Sequence, residues 1–364
     1  MKKKLIVFCM IAIAACNRIP HEEGRPAKKT AMTKTSSEFA DIPRSLEDQL
    51  AFTCTYEAER IPPRDPEADQ LFKHARWLYK RNRLKNDPTK FPEIERLYRI
   101  SAAWGHDKAN HNLALMMIRG QSDADDYISL PVTLAQNLIK RGIPQGYYDM
   151  GVLLSSGYGV KGNDASALQY MRKAADLGNP DAQYHIGNVL FSMGIKNIIT
   201  FNIGRSMIAC SAEQGNAQAS FQAAIDLKNE KNFSAAVHYY HLSIKNGKNL
   251  GAFTLSASFL APPSDNTLDY LGLAKDEERS RRYAILSDFL HNYSYLNPTV
   301  EDIDEIVPLP PAKLPPWDGK PKWLKEWESG KAPPLPSEER LAEMAEAKGL
   351  APKTGRPVAV GLAR

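Results

Sequence analysis

The chain has 364 residues, 24% of them charged and 43% hydrophobic, the balance of a folded protein rather than a disordered one. Its formal charge of +5 includes Lys2, Lys3 and Lys4, which stand in a segment expected to be removed; without them the basic side chains barely outnumber the 42 acidic ones. A body so close to neutral gives no electrostatic footing for nucleic acid.

Residues 1–15 read as an export signal. Three lysines precede "LIVFCMIAIAA", an apolar run too short to be a permanent membrane span. The run ends in Ile13-Ala14-Ala15-Cys16, where the small alanines suit a narrow signal-peptidase cleft. This ending resembles the bacterial lipobox. The resemblance implies cleavage before Cys16, a diacylglycerol on its thiol, and a membrane anchor worth ~0.8 kcal/mol per buried methylene. Asn17 stands where retained inner-membrane lipoproteins of enteric bacteria usually have aspartate, so a periplasm-facing, outer-membrane anchor is expected. Residues 16–45 are polar and rich in Lys, Thr and Ser, a flexible tether.

With Cys9 removed and Cys16 acylated, Cys54 and Cys210 remain. One precedes the repeats described next and the other falls in the fourth, so a solenoid is expected to hold them apart as two separately buried thiols.

Residues 46–300 read as a helical array. Its first helix starts in "IPPRDPEADQLFKHARWLYKRNRL", with Asp65 as cap, Pro66 in the first turn and an apolar face of Leu71, Ala75, Leu78 and Tyr79. A repeating frame follows. Its leading glycines are Gly105, Gly142, Gly178, Gly215 and Gly247, separated by 37, 36, 37 and 32 residues. Small residues recur at +4 and +9, with His111, Tyr148, Tyr184, Phe221 and Phe253 at +6 and Met117, Leu154, Leu190, Leu227 and Phe259 at +12. A period in this range marks a stacked repeat. In "AADLGNPDAQYHIGNVL", Gly178 stops one helix, Asn179 caps the next and Pro180 fills its first turn. Each copy is thus a helix pair that buries its apolar face only against its neighbours, with small residues for close approach and the +6 aromatic filling the space between layers. "DEERSRRYAILSDFLHNY" continues the stack as a helix.

Residues 301–364 differ in kind. Nine prolines lie between Pro308 and Pro336, with Trp317, Trp323 and Trp327 among them. Proline removes helix donors, so this stretch is expected to run over a repeat face and pin itself with its indoles, "WLKEWE" forming a turn of helix. A last short helix runs from the cap Ser337 to the stop Gly349.

The copy running from Gly146 to Leu190, with its Gly157-x-Gly159-Val160 turn, resembles Sel-like repeats, relatives of the tetratricopeptide repeat. The resemblance implies an all-α, right-handed α-solenoid of stacked helix pairs. The order of parts resembles something narrower. A lipobox, "PPRDPEADQLFKHARWLYK", "EIERLYRISAAWGHDKAN", the repeats and "VPLPPAKLPPWDGK" are similar to bacterial lipoproteins encoded beside type VI secretion phospholipase effectors. That likeness implies an immunity protein whose partner is a phospholipase D-type toxin.

No catalytic constellation is legible. No GxSxG, Walker loop, HExxH or H-x-K-x-x-x-x-D run appears, and the last of these marks phospholipase D enzymes themselves. His238 and His241 share a helix face but lack further ligands, and Glu301, Asp302, Asp304 and Glu305 lack the glycine and spacing of a calcium loop. A partly exposed histidine pair and a solvated charge run are expected, with no metal and no cofactor. For binding, the polar residues at +5 and +7 are candidates for a contact strip, above all Tyr147, Asp149, Gln183, His185 and Gln222. The function expected is an immunity lipoprotein that blocks a periplasm-delivered phospholipase; the alternative is a periplasmic repeat scaffold for envelope assembly.

Overall fold

The computed structural model describes residues 50–193 and 197–358; the expected signal, the lipidation residue Cys16 and the tether lie outside them. Within the described residues every regular element is helical, apart from one isolated bridge between Leu350 and Pro357. Helix α1 (Pro66–Asn82) stands before five helix pairs: α2 (Phe91–Ala103) with α3 (Asp107–Ile118), α4 (Leu130–Lys140) with α5 (Pro144–Ser156), α6 (Asp164–Asp176) with α7 (Pro180–Met193), α8 (Ile198–Glu213) with α9 (Ala217–Asn229), and α10 (Phe233–Lys245) with α11 (Asn249–Ser258). Helix α12 (Glu277–Asn292) completes the stack. The result is an all-helical solenoid.

The turn inside each pair follows from its residues. Gly178 has φ +105°, a conformation costly for any residue with a Cβ, and Asn179 Oδ1 then accepts the Ala182 amide at 2.9 Å. The same cap is made by Asn216 on Ala219 and, with an imidazole, by His106 Nδ1 on Ala109 at 3.1 Å.

The small residues of the frame have distinct duties. Those at +4 touch the first helix of their own pair: a Cβ on Gly146 would stand 2.5 Å from Leu138 Cβ. Those at +9 touch the first helix of the next pair: a Cβ on Gly187 would meet the Gly204 carbonyl at 3.0 Å. Side chains of any length at these positions would force the layers apart.

The expectation for Cys54 and Cys210 is wrong. They form a disulfide, with Cα atoms 5.6 Å apart. The cause is the path of residues 50–61, which do not lie ahead of the first layer but run back along the turns of the third and fourth pairs. Arg172 donates to the carbonyls of Leu50 and Ala51, Thr55 Oγ1 donates to the Asp176 carbonyl, and the Thr55 carbonyl accepts from Gln183 and Gln214. A Cβ on Gly178 would stand 2.7 Å from the Glu57 nitrogen, so the bare glycine lets this segment lie flat.

The C-terminal segment does more than cover one face; it closes the stack into a ring. It leaves the last layer through α13 (Ile303–Ile306), reaches α14 (Lys322–Glu328) and ends in α15 (Glu338–Glu346). Trp323 packs on Phe289 of α12 and on Tyr293, the residue that follows it, with ring centroids 5.7 and 6.0 Å apart. It stacks on Trp327, which carries the Arg81 guanidinium of α1 over its ring at 3.8 Å. Farther on, Leu341, Met344, Ala345 and Leu350 enter the core formed by Leu71, Ile94, Leu97 and Leu113 of the first layers. Trp104 Nε1 donates to the Met344 carbonyl at 3.0 Å, and Arg96 holds Glu338 at 2.7 Å. The fold therefore has one apolar core at each end of the chain and a strap that joins them.

Two outcomes are expected. Cys210→Ser removes a crosslink between residues 156 apart and should lower stability by about 2–5 kcal/mol, read as a fall in thermal midpoint. Reductant should reproduce that fall in the unaltered protein and leave the variant unmoved. Truncation after residue 330 should uncover the first core and lower the midpoint further, with new binding of a hydrophobic dye; burying a single leucine or methionine contributes about 1.5–3 kcal/mol.

Candidate partner-binding site inside the ring

The second helices of the pairs line the inside of the curve. Residues of α1, α3, α5 and α7 share a cavity of about 510 Å³ with the loop Ser294–Leu296 and Asn297, which faces them from the far end of the chain. A helix turns about 100° per residue, so the frame positions +3, +6 and +10 fall within about 60° of one another and form the inner stripe. His111 and Leu115 of the first pair and Tyr148 and Val152 of the second stand in adjoining cavity wall.

This placement corrects the contact strip. Position +5 lies on the buried side: Asn110, Gln183 and Ser220 are 4%, 0% and 0% exposed. Each donates to the carbonyl three residues before its glycine, on Ala102, Ala175 and Ala212 respectively. Gln183 in addition holds the Thr55 carbonyl, so its amide is spent inside the protein. Tyr147, the fourth member, is half-buried against Tyr170 with centroids 6.3 Å apart. Position +7 flanks the inner stripe. His185 is exposed there, Gln222 is half-buried and donates to Asp226, and Asp149 is 9% exposed and accepts from both His111 and Gln145 at 2.8 Å.

The +6 rings, by contrast, face the interior. Tyr148, Tyr184 and Phe221 are half-exposed and Phe253 is 62% exposed, so the aromatic of each repeat packs with one edge and shows the other. The sequence displays these rings plainly; what misplaces them is reading them as filler between layers without asking which other positions share their side of the helix.

Charge is distributed unevenly around the interior. His111 sits between acids. Burial opposes its imidazolium, but Asp149, with Asp181 and Glu57 farther off, outweighs that and raises its pKa above the usual 6.5. Glu57 and Asp181 are raised by burial and by neighbouring carboxylates, against bonds from Asn179 and Asn216. On the α1 side Lys80 is pushed down to about 8 by burial and by Arg76.

The histidine pair and the acidic run have other roles than a shared site. His238 is exposed, whereas His241 is 5% exposed, between the Tyr283 hydroxyl at 2.9 Å and Asp304 at 3.0 Å. Asp302 accepts the Lys322 amide and so helps start α14. Among the described residues no group of three or more His, Cys, Asp or Glu is placed to hold a metal ion.

With this geometry in view, the relatives can be compared. The Sel1 repeat matches residues 144–179 and 230–248, and a domain of unknown function, DUF6396, matches residues 251–358. The solved structure of Pseudomonas aeruginosa PA5086 is 30% identical, with TM-score 0.53, over 71% of this chain and 95% of that one. The chain belongs to the Sel1-repeat family of PA5086. Two immunity proteins from the same organism are each 28% identical: PA5088, with TM-score 0.54 over 71% of this chain and 94% of its own, and PA5087, with 0.53 over 72% and 95%. No curated protein matches the chain by sequence.

For this Sel1-repeat protein the His111 pair gives a signed pH expectation. Because its folded pKa is raised, the stability contributed by its charged form is fully present below 6.5 and is lost as pH rises through the folded value. The midpoint difference between the unaltered protein and His111→Gln should be largest below pH 6.5 and shrink as pH is raised above it, through the folded value. A difference that grows with pH would contradict the assignment.

Proposed function

We propose that the protein is a non-catalytic immunity lipoprotein that binds a toxin of the phospholipase D type delivered into the periplasm and occludes it. The observation that carries this reading is the 28% identity, over nearly the whole length of each, to two proteins named as immunity proteins. The interior supports it: a row of half-exposed aromatic rings on rigid helices is the kind of surface from which binding anchors are drawn. Blocking needs an interface of about 1,200–2,000 Å² and a few buried anchors, not chemistry. The disulfide supports export, since such bonds persist in oxidising compartments. Lipidation at Cys16 would keep the protein at the membrane where a lipase acts, raising its local concentration.

Protein lacking residues 1–16 should inhibit a phospholipase encoded beside its gene at about one-to-one stoichiometry, with no metal or cofactor added. In cells, removing residues 1–15 should abolish protection while binding in vitro persists. Full lipase activity in excess folded protein, for every neighbouring phospholipase, would sink the immunity reading and leave a repeat scaffold.

A further inference from the structure

Where the ring closes, its inner wall carries more positive charge than its neighbours neutralise. Two cavities of about 510 and 740 Å³ meet there and share Arg76 and Lys80 of α1 and Lys108 of α3. Of the other cations in these walls, Arg64 bonds Asp107 at 2.6 Å and Lys73 bonds Asp69. Among the described residues Arg76, Lys80 and Lys108 make no ion pair. Arg83 and Arg119 extend the row, and both donate to one neutral oxygen, Tyr79 Oη, at 3.2 and 2.8 Å. The acids in the same walls are engaged elsewhere or exposed. Asp69 also bonds His106, Asp181 accepts from Asn216, and Glu301 and Glu326 are exposed.

Packing alone does not call for such a row. Mutual repulsion of like charges costs stability, and Lys80 already resists protonation more than an exposed lysine does. The length of the row bears on what it meets. Arg76 to Arg83 spans seven residues of helix, about 10 Å, longer than one phosphate or carboxylate. Tyr79, half-exposed, stands among the cations, with Phe72 and Tyr98 buried in the core behind it.

We propose that this wall receives an acidic segment of a protein partner, several aspartate or glutamate side chains in succession, entering the ring at its closure. The proposal rests on the reading of the partner as a protein toxin. Each carboxylate would take up a cation left unpaired in the free protein, so binding would weaken as salt screens the row.

The test uses the chain lacking residues 1–16 and a fluorescent decaglutamate peptide, titrated by anisotropy at low and physiological salt. Binding is expected, weaker at the higher salt, and at least about tenfold weaker in the triple variant Arg76→Gln, Lys80→Gln, Lys108→Gln. That variant should stay folded, losing no ion pair and only the contact of the Lys80 ammonium with the Trp323 ring, 5.4 Å from its centroid; Arg76→Lys, which keeps the charge, should retain most of the affinity. Equal affinity in the triple variant, or no binding at low salt, overturns the proposal. Displacement of the peptide by millimolar inorganic phosphate also overturns it, in favour of a small-anion site. The toxin assay is read separately. If the triple variant blocks the toxin as well as the unaltered protein does, the acidic segment is misplaced and the immunity reading stands. If the unaltered protein blocks no toxin, that reading falls, and the peptide titration still decides what the wall binds.

Discussion

A stack of helix pairs has two ends, and each end is an apolar face without a neighbour. Here both ends are answered by one device, the pair of indoles between the first and last helices. Trp323 rests on Phe289 and Tyr293, Trp327 lies under Arg81, and the chain that links them continues into a helix that fills the first core. Without that bridge, Leu71 and Ile94 would face water on one side, and the inner wall on α1 would no longer stand opposite the loop at residues 294–297. The cavity is therefore a product of closure rather than of any single layer.

The repeats themselves were open to reading from the sequence because their physics is local. A glycine with positive φ, a capping side chain one residue later and a small residue at +4 act within a dozen positions, and each leaves its mark on the sequence at a fixed interval. The array of helix pairs follows from them. The closure was not open to reading in that way. Arg96 and Glu338, or Trp104 and Met344, meet across about 240 residues, and nothing in the spacing of prolines says which layer the strap will reach. The disulfide was misread for a related reason. Cys54 precedes the first repeat in sequence, whereas the segment that carries it is held by Gln183 of the third pair and Gln214 of the fourth.

The site was half legible. The five-fold recurrence of an aromatic at +6 was visible, but its side of the helix depends on what the +5 amides and hydroxyls do. Because Asn110, Gln183 and Ser220 turn inward to carbonyls of the preceding helix, the rings one residue later turn toward the interior. A polar residue is not by that fact a surface residue; at this turn it substitutes for the hydrogen bond that the ended helix cannot make.

The strap has a consequence for how such proteins can diversify. An open solenoid can gain or lose a repeat and remain sound, since each layer consults only its neighbours. A closed one cannot. Adding one 36- or 37-residue pair between Gly142 and Gly215 would rotate the last helix away from the first and leave the indoles and the terminal helix without a landing place. The number of layers is fixed by the reach of the C-terminal segment. Variation that keeps the closure is then confined to exchanging side chains within a fixed set of layers, such as those at +3, +6 and +10 on the inner stripe, as a combination lock changes its digits without changing its wheels.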